Sequence, residues 1–228
     1  MNYIIQDTSL STEIGDDWFN VDWLSRNNLI IGHSTGRSTV YFIQHPSHKL
    51  VLRHYMRGGL MAQFSEDKYL WTGLKNSRPW KEWNLTNSLY QQGLPVPRPI
   101  AAQVIRNGVF YQGNILTQKI AHNLSFHEII TNGKQTEQLN HKIGKTIRKF
   151  HDSGLYHADL NVNNILISNG NDVSLIDFDK CRYRKGDAWK ESNLNRLDRS
   201  IIKTARQLST VESSHISRQI REGYNSCD

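Results

Sequence analysis

Cysteine is nearly absent. Cys181 and Cys227 are the two in 228 residues, and neither belongs to a C-x-x-C pair. That excludes a disulfide framework and points to a reducing, cytoplasmic compartment. Apolar runs are short: Leu29-Ile30-Ile31 is typical, far below the roughly 20 residues that cross a bilayer. Met1-Asn2-Tyr3-Ile4-Ile5-Gln6-Asp7 has no basic stretch leading into an apolar one, so no secretory signal is expected. Histidines number ten, yet His122, His127, His141 and His151 lack a paired spacing such as H-x-x-x-H. They are expected to be exposed or packed rather than metal-bound. Internal repeats and low-complexity linkers are missing too.

What the chain has in excess is positive charge. The net charge is +7 and the pI about 9.4, which implies an anionic partner. No nucleic-acid motif or aromatic-basic pattern accompanies the charge, so nucleic acid is not expected. An anionic substrate or an anionic membrane surface fits better. Hydrophobic content of 37% is that of a folded protein, long enough for one large domain or two small lobes.

The chemistry is carried by Tyr156-His157-Ala158-Asp159-Leu160-Asn161-Val162-Asn163-Asn164-Ile165-Leu166-Ile167 and, soon after, Leu175-Ile176-Asp177-Phe178-Asp179. The first reads as a catalytic loop H-x-D-L-x-x-x-N running into a buried strand. The second reads as a strand ending in an acidic residue and Phe, as a metal-binding D-F-G does in kinases. Asn169-Gly170-Asn171 between them is a turn signal, so the two strands are predicted to pair as a hairpin. Asp159, Asn164 and Asp177 would then stand at the mouth of one cleft. Phosphoryl transfer needs such a set: a carboxylate to accept the acceptor's proton, and an amide with a second carboxylate to hold Mg²⁺.

Upstream, residues 1–28 carry Trp18, Phe19, Val21 and Trp23 and read as a lead-in element, with a short helix opened by Asp16 or Asp17. Strands are predicted at Leu29–Gly32 and Val40–Ile43 around a turn at Ser34–Ser38. With Gly32 and Gly36 that turn reads equally as a phosphate-covering loop or as an ordinary hairpin, since a full G-x-G-x-x-G is missing. In kinases the third strand presents a Lys to the nucleotide phosphates, oriented by a Glu on the next helix. In Leu50–Tyr55 that place belongs to Arg53, a planar fork able to clamp phosphate oxygens. A Gly pair, Gly58-Gly59, follows. A helix is predicted from near Pro79 to Gln92-Gly93, and its Glu82 is the candidate partner of Arg53. Asn107-Gly108 marks a hairpin between Ile100–Arg106 and Val109–Tyr111, with a further strand at Asn114–Ile120.

After about residue 120 the pattern turns helical. Ser125-Phe126-His127-Glu128 is a capping box. Leu139, Ile143, Ile147 and Phe150 recur at helical spacing up to Ser153-Gly154. Lys180, Arg182, Arg184 and Lys185 form a basic run. A terminal helix from about Asn193 carries Leu194, Leu197, Ile201 and Leu208, with Arg196, Arg199, Lys203 and Arg206 on other faces. Its cations predict salt-sensitive binding to anionic vesicles.

Several segments together resemble one family. They are Leu52-Arg53-His54-Tyr55-x-Arg57-Gly58-Gly59-Leu60, Gly93-Leu94-Pro95-Val96-Pro97-x-Pro99-Ile100-Ala101-Ala102, Asp159-Leu160-Asn161-x-x-Asn164-Ile165-Leu166 and Asp177-Phe178-Asp179-Lys180-Cys181. The last is Trp189-Lys190-x-x-Asn193-Leu194-Asn195-Arg196-Leu197-x-Arg199-Ser200. Over roughly residues 29–205 they look like the bacterial 3-deoxy-D-manno-octulosonic acid (Kdo) kinases of lipopolysaccharide assembly. The resemblance implies an α+β, two-lobed protein-kinase-like fold: a sheet lobe with one main helix at 1–120 and a reduced helical lobe at 121–228. It implies ATP and Mg²⁺ as cofactors, a Kdo-lipid A precursor phosphorylated at the sugar's 4-hydroxyl, and a place at the cytoplasmic face of the inner membrane. By matching position, Asp159 would be the base, Asn164 and Asp177 metal ligands, Arg53 the phosphate clamp and Glu82 its orienter. Asp179 stands where protein kinases have the Gly of D-F-G, and no A-P-E segment follows. The rival readings are another small-molecule or protein kinase on the same scaffold, and a non-catalytic nucleotide-binding protein of the membrane surface.

Overall fold

The computed structural model describes residues 1–10, 13–35, 39–46, 48–56, 67–121, 124–204 and 210–226. Gly36, the Arg57-Gly58-Gly59 segment, His122, Arg206, Leu208 and Cys227 lie outside them. The described chain forms two compact units, one of Met1–Gln91 with Pro97–Ile120, the other of Gln92–Val96 with Ala121–Asp228. The fold is mixed α+β, with a large antiparallel sheet and a separate set of helices, in keeping with a kinase-like architecture. No helix among the described residues is long and apolar enough to cross a membrane.

The first unit is a seven-stranded sheet. Strands β1 (Asn2–Gln6), β2 (Ile30–Thr35), β3 (Thr39–Gln44), β4 (Lys49–His54), β5 (Tyr69–Leu70), β6 (Pro99–Asn107) and β7 (Phe110–Gln118) are ordered β1-β6-β7-β4-β3-β2, with β5 also on β7. Two expectations are corrected here. Residues 1–28 do more than lead in, because β1 pairs antiparallel with β6 from Asn2↔Ile105 to Gln6↔Ala101. The strands predicted at Val109–Tyr111 and Asn114–Ile120 are one continuous β7, whose nine residues pair β6 through the Asn107-Gly108 turn. The polar Gln112 and Asn114 interrupt its apolar pattern without interrupting its ladder. Helix α1 (Val21–Arg26) is capped by Asn20, which accepts from the N–H groups of Asp22 and Trp23. That helix buries Leu24 in a core with Ile43, Leu50, Leu52 and Leu116.

The main helix of this unit, α2 (Arg78–Gln91), begins where sequence predicts. Pro79 sits in its first turn, where a missing N–H costs nothing, and the Arg78 N–H donates to the Tyr111 hydroxyl at 3.0 Å. The helix lies close on the sheet because β7 has Gly113 opposite it. A Cβ there would strike the Pro79 ring, so a larger residue would lift the start of α2, and Glu82 with it.

The second unit contains α3 (Phe126–Thr131), opened by a complete Ser125–Glu128 capping box, and α4 (Glu137–Asp152). The short strand β8 (Leu124–Ser125) precedes α3, β9 (Leu155–Tyr156), β10 (Ile165–Ile167), β11 (Val173–Leu175) and β12 (Arg182–Tyr183) follow α4, and α5 (Ala188–Thr204) and α6 (Thr210–Asn225) come after them. β10 and β11 pair antiparallel, Ile165↔Leu175 to Ile167↔Val173. α5 starts earlier than the expected Asn193, and α6 is a second helix where one was predicted. α6 buries Ile216, Ile220 and Tyr224 against α4. The approach is close enough that a Cβ on Gly144 would meet the backbone of Ile220 and Gly223, and one on Gly223 the backbone of His141.

Candidate active site

The residues singled out in sequence fall into one cluster in each unit. In the second unit α4 delivers the chain into the loop 157–164. His157 is 2% exposed. Its Nε2 stands 3.1 Å from the Ile176 carbonyl, an acceptor only, so Nε2 carries the proton and Nδ1 accepts from the Asp159 N–H at 3.3 Å. Burial holds the ring's pKa below its ordinary value, against the hydrogen bond to Ile176 and the charges of Asp177 and Asp159. Neutral His157 therefore ties the loop to the strand end that carries Asp177. Both carboxylates are close enough to act on it.

The Asp159 carbonyl is held twice, by the side-chain amides of Asn161 and Asn164, each at 2.9 Å. Asn164 directs its NH₂ group there, which leaves its amide oxygen available to another partner. The Asn164 carbonyl accepts from the Ile176 N–H at 3.1 Å, so the end of the catalytic loop and the start of the Asp177 segment are bonded side by side. Asp177 has φ of 64°, a left-handed conformation rare for a residue with a side chain and found mostly where surroundings impose it. The next residue, Phe178, is anchored in the core. Its ring is 1% exposed and packs on Phe150 and His157, with centroids 6.1 and 5.2 Å away. Burial of such a ring contributes about 1.5–3 kcal/mol, enough to hold the strained neighbour.

Helix α5 supplies what sequence reasoning missed. Asn193, 1% exposed, accepts from the His157 N–H at 3.3 Å and donates to the His157 carbonyl at 2.8 Å. Ser200 Oγ accepts from the Val162 N–H at 3.2 Å. Between them Arg196, predicted only to lie on a face other than the apolar one, donates from Nη2 to Asp159 Oδ1. Asn193, Arg196 and Ser200 stand at i, i+3 and i+7 on one helix face, a periodicity visible in sequence, though nothing there says what the face meets. Burial works to raise the Asp159 pKa, but the hydrogen bond and charge of Arg196, with the Asn161 amide, outweigh it and hold the carboxyl below its usual value.

The Asn193 carbonyl also faces His151 Nε2 at 3.1 Å, while the Tyr224 hydroxyl lies 2.9 Å from His151 Nδ1. Asn193 Oδ1 can only accept, so His151 Nε2 carries a proton, and it is burial that keeps the ring neutral. Burial pushes its pKa down to about 4. An unfolded histidine titrates near 6.5, so between those values the unfolded chain binds a proton that the folded chain refuses. The stabilisation is complete above about pH 6.5 and lost as pH falls towards 4, to a total of about 3 kcal/mol. The urea midpoint is expected to fall between pH 7 and 4.5, and less steeply in His151→Gln. Equal slopes in the two proteins would contradict this.

The first-unit cluster centres on β4. Arg53 Nη2 donates to both oxygens of Glu82, at 2.5 and 2.6 Å. Glu82 is 6% exposed and also accepts from the Tyr55 hydroxyl. Arg53 and Tyr55, alternate residues on one face, reach the same carboxylate, and the guanidinium lies 4.9 Å over the Tyr55 ring. Arg78 stacks on Tyr55 from 5.3 Å and bonds the Tyr69 hydroxyl at 2.5 Å. Gly32 sits inside β2 at a register shift between Ile30 and Gly32.

Among the described residues no three His, Cys, Asp or Glu side chains gather as a complete metal site. Asn164 and Asp177 offer hard oxygen donors, few in number. That suits Mg²⁺, which takes one or two carboxylates and completes its shell with water and substrate phosphates.

Comparison with known proteins matches residues 21–219 to a family model described as the lipopolysaccharide kinase (Kdo/WaaP) family. The chain is 40% identical over 197 residues to a 3-deoxy-D-manno-octulosonic acid kinase of Vibrio cholerae serotype O1, covering 86% of this chain and 84% of that protein. It is 37% identical over 216 residues to the protein of that name from Mannheimia succiniciproducens, covering 92% and 90%. For the one from Haemophilus influenzae the figures are 37% over 209 residues, 88% and 87%.

Proposed function

The chain belongs to the lipopolysaccharide kinase (Kdo/WaaP) family, and from that premise we propose that it transfers the γ-phosphoryl group of ATP to the 4-hydroxyl of Kdo on a lipid A precursor. The observation that carries the reading is the hydrogen-bonded pair of segments that presents Asp159, Asn164 and Asp177 together, in a chain alike to Kdo kinases over most of its length.

In this reading the hydroxyl of the sugar donates to the Asp159 carboxylate and gives up its proton there as its oxygen bonds to phosphorus. The bond to the bridging oxygen of ADP breaks, and ADP leaves with that electron pair. Asn164 and Asp177 would hold Mg²⁺, which when bound neutralises charge on the phosphates. Arg53 clamps phosphate oxygens, and Glu82, fixed by Tyr55, orients it. His157 and Asn193 are buried and hold the loop. The exposed Lys180, Arg182 and Lys185, with the net charge of +7, support a peripheral place on the anionic cytoplasmic face of the inner membrane.

The test is transfer of label from γ-labelled ATP with Mg²⁺ to purified Kdo-bearing lipid A precursor. Label is expected in the lipid. Retention of all label in ATP or free phosphate, with nucleotide bound, would contradict the proposal.

A further inference from the structure

Helix α5 is sorted by charge. Its carboxylates Glu191 and Asp198 turn to Arg221 of α6. On roughly the opposite side, for about 3.6 residues per turn, stand Arg196, Arg199 and Lys203. Arg199 and Lys203 are exposed and have no ionic or hydrogen-bonded partner among the described residues. Arg196 alone of the three meets a carboxylate, and it is that of Asp159.

The contact is incomplete in a telling way. A guanidinium serving structure alone does best with two parallel N–H···O bonds to one carboxylate. Arg196 gives Asp159 a single N–H, and its Nε is buried without a partner. The Nε is closed off from solvent, so a ligand would meet the terminal nitrogens, of which one N–H goes to Asp159 and the others are left to an incoming acceptor. Both side chains of the pair are 43% exposed, so a ligand can reach them.

We infer that Arg196 binds the carboxylate of the acceptor sugar acid and so selects an acidic sugar over a neutral one. The inference rests on the function proposed above. The sugar's 4-hydroxyl must come to Asp159, and it stands two ring carbons from the carbon bearing the carboxylate. One guanidinium can therefore hold base and substrate carboxylate at once, fixing the hydroxyl by two points. Arg199 and Lys203 extend the same face without a carboxylate of their own to compete for an anion.

The experiment is steady-state kinetics at saturating ATP for wild type, Arg196→Ala and Arg196→Lys. The acceptors are Kdo-lipid A precursor and the same lipid with the Kdo carboxylate converted to the carboxamide. In Arg196→Ala the acceptor KM is expected to rise about 10- to 100-fold, the value of a charge-assisted pair, with the KM for ATP unchanged and kcat falling as well, because Asp159 loses the guanidinium that holds it. Wild type should prefer the acid by a similar factor, Arg196→Ala should treat acid and amide alike, and Arg196→Lys should recover part of the preference. The wild-type comparison needs no variant, so the test stands even if the alanine protein fails to fold. A fall in kcat at constant acceptor KM would overturn the assignment in favour of contact with the transferred phosphate. Wild type equally active on acid and amide would overturn it while leaving the kinase reading intact. Wild type inactive on both would overturn that reading and the inference with it.

Discussion

Asp159→Asn is expected to lower the rate of phosphate transfer about 10²–10⁴-fold, the usual worth of a positioned proton acceptor, with ATP affinity and fold preserved. In the proposed mechanism the substitution removes the acceptor of the hydroxyl proton and nearly nothing else. The contacts that shape the loop are to the main chain of residue 159: its carbonyl takes the amides of Asn161 and Asn164, and its N–H donates to His157. Asparagine keeps all three. What is lost besides chemistry is one half-exposed ion pair with Arg196, of the kind worth little in stability. Single-turnover transfer beside equilibrium ATP binding measures both halves. A variant within tenfold of wild type would remove Asp159 from the role of base.

The second large effect belongs to Glu82. Glu82→Leu is expected to destabilise the first unit by about 3–5 kcal/mol, because it removes the buried carboxylate to which Arg53 and the Tyr55 hydroxyl both donate. The KM for ATP should rise as Arg53 loses its orientation. Arg53→Met in the same chain should return much of the stability, since a buried pair replaced whole is often neutral, while the ATP defect stays. Denaturant midpoints and ATP kinetics on the two proteins separate the structural part of the pair from its proposed part in nucleotide binding. Recovery of both in the double variant would contradict that part.

Local signals carried much of the fold. The 125–128 capping box, the Leu139/Ile143/Ile147/Phe150 stripe of α4 and the 165–175 hairpin each rest on neighbouring residues, and periodicity and turn chemistry report those directly. The elements that escaped depend on distant ones. β1 is a strand because β6, about a hundred residues away, offers it an edge. α6 hides because Ser, Gln and Arg fill most of its turns, and its apolar side, Ile216, Ile220 and Tyr224, gains meaning only from α4, whose Gly144 and own Gly223 admit close approach.

The same division runs through the candidate site. Asp159, Asn164 and Asp177 stand out because their spacing is bound to one loop and one strand end, and Arg53 and Glu82 because a strand and a helix of recognisable type carry them. Asn193, Arg196 and Ser200 share a helix face that periodicity reveals. That this face braces the catalytic loop, rather than meeting water, is decided by packing. Gly113 gives no sign at all in sequence of serving Pro79.

The most direct measurement is a phosphorus-31 and proton correlation spectrum of the product formed from ATP, Mg²⁺ and Kdo-lipid A precursor by the purified protein. A new phosphomonoester coupled to the proton on carbon 4 of Kdo is expected, formed at least about a hundredfold more slowly when Asp159→Asn replaces the wild type. A spectrum in which ATP yields only free phosphate, or a phosphomonoester coupled elsewhere, would contradict the proposed reaction.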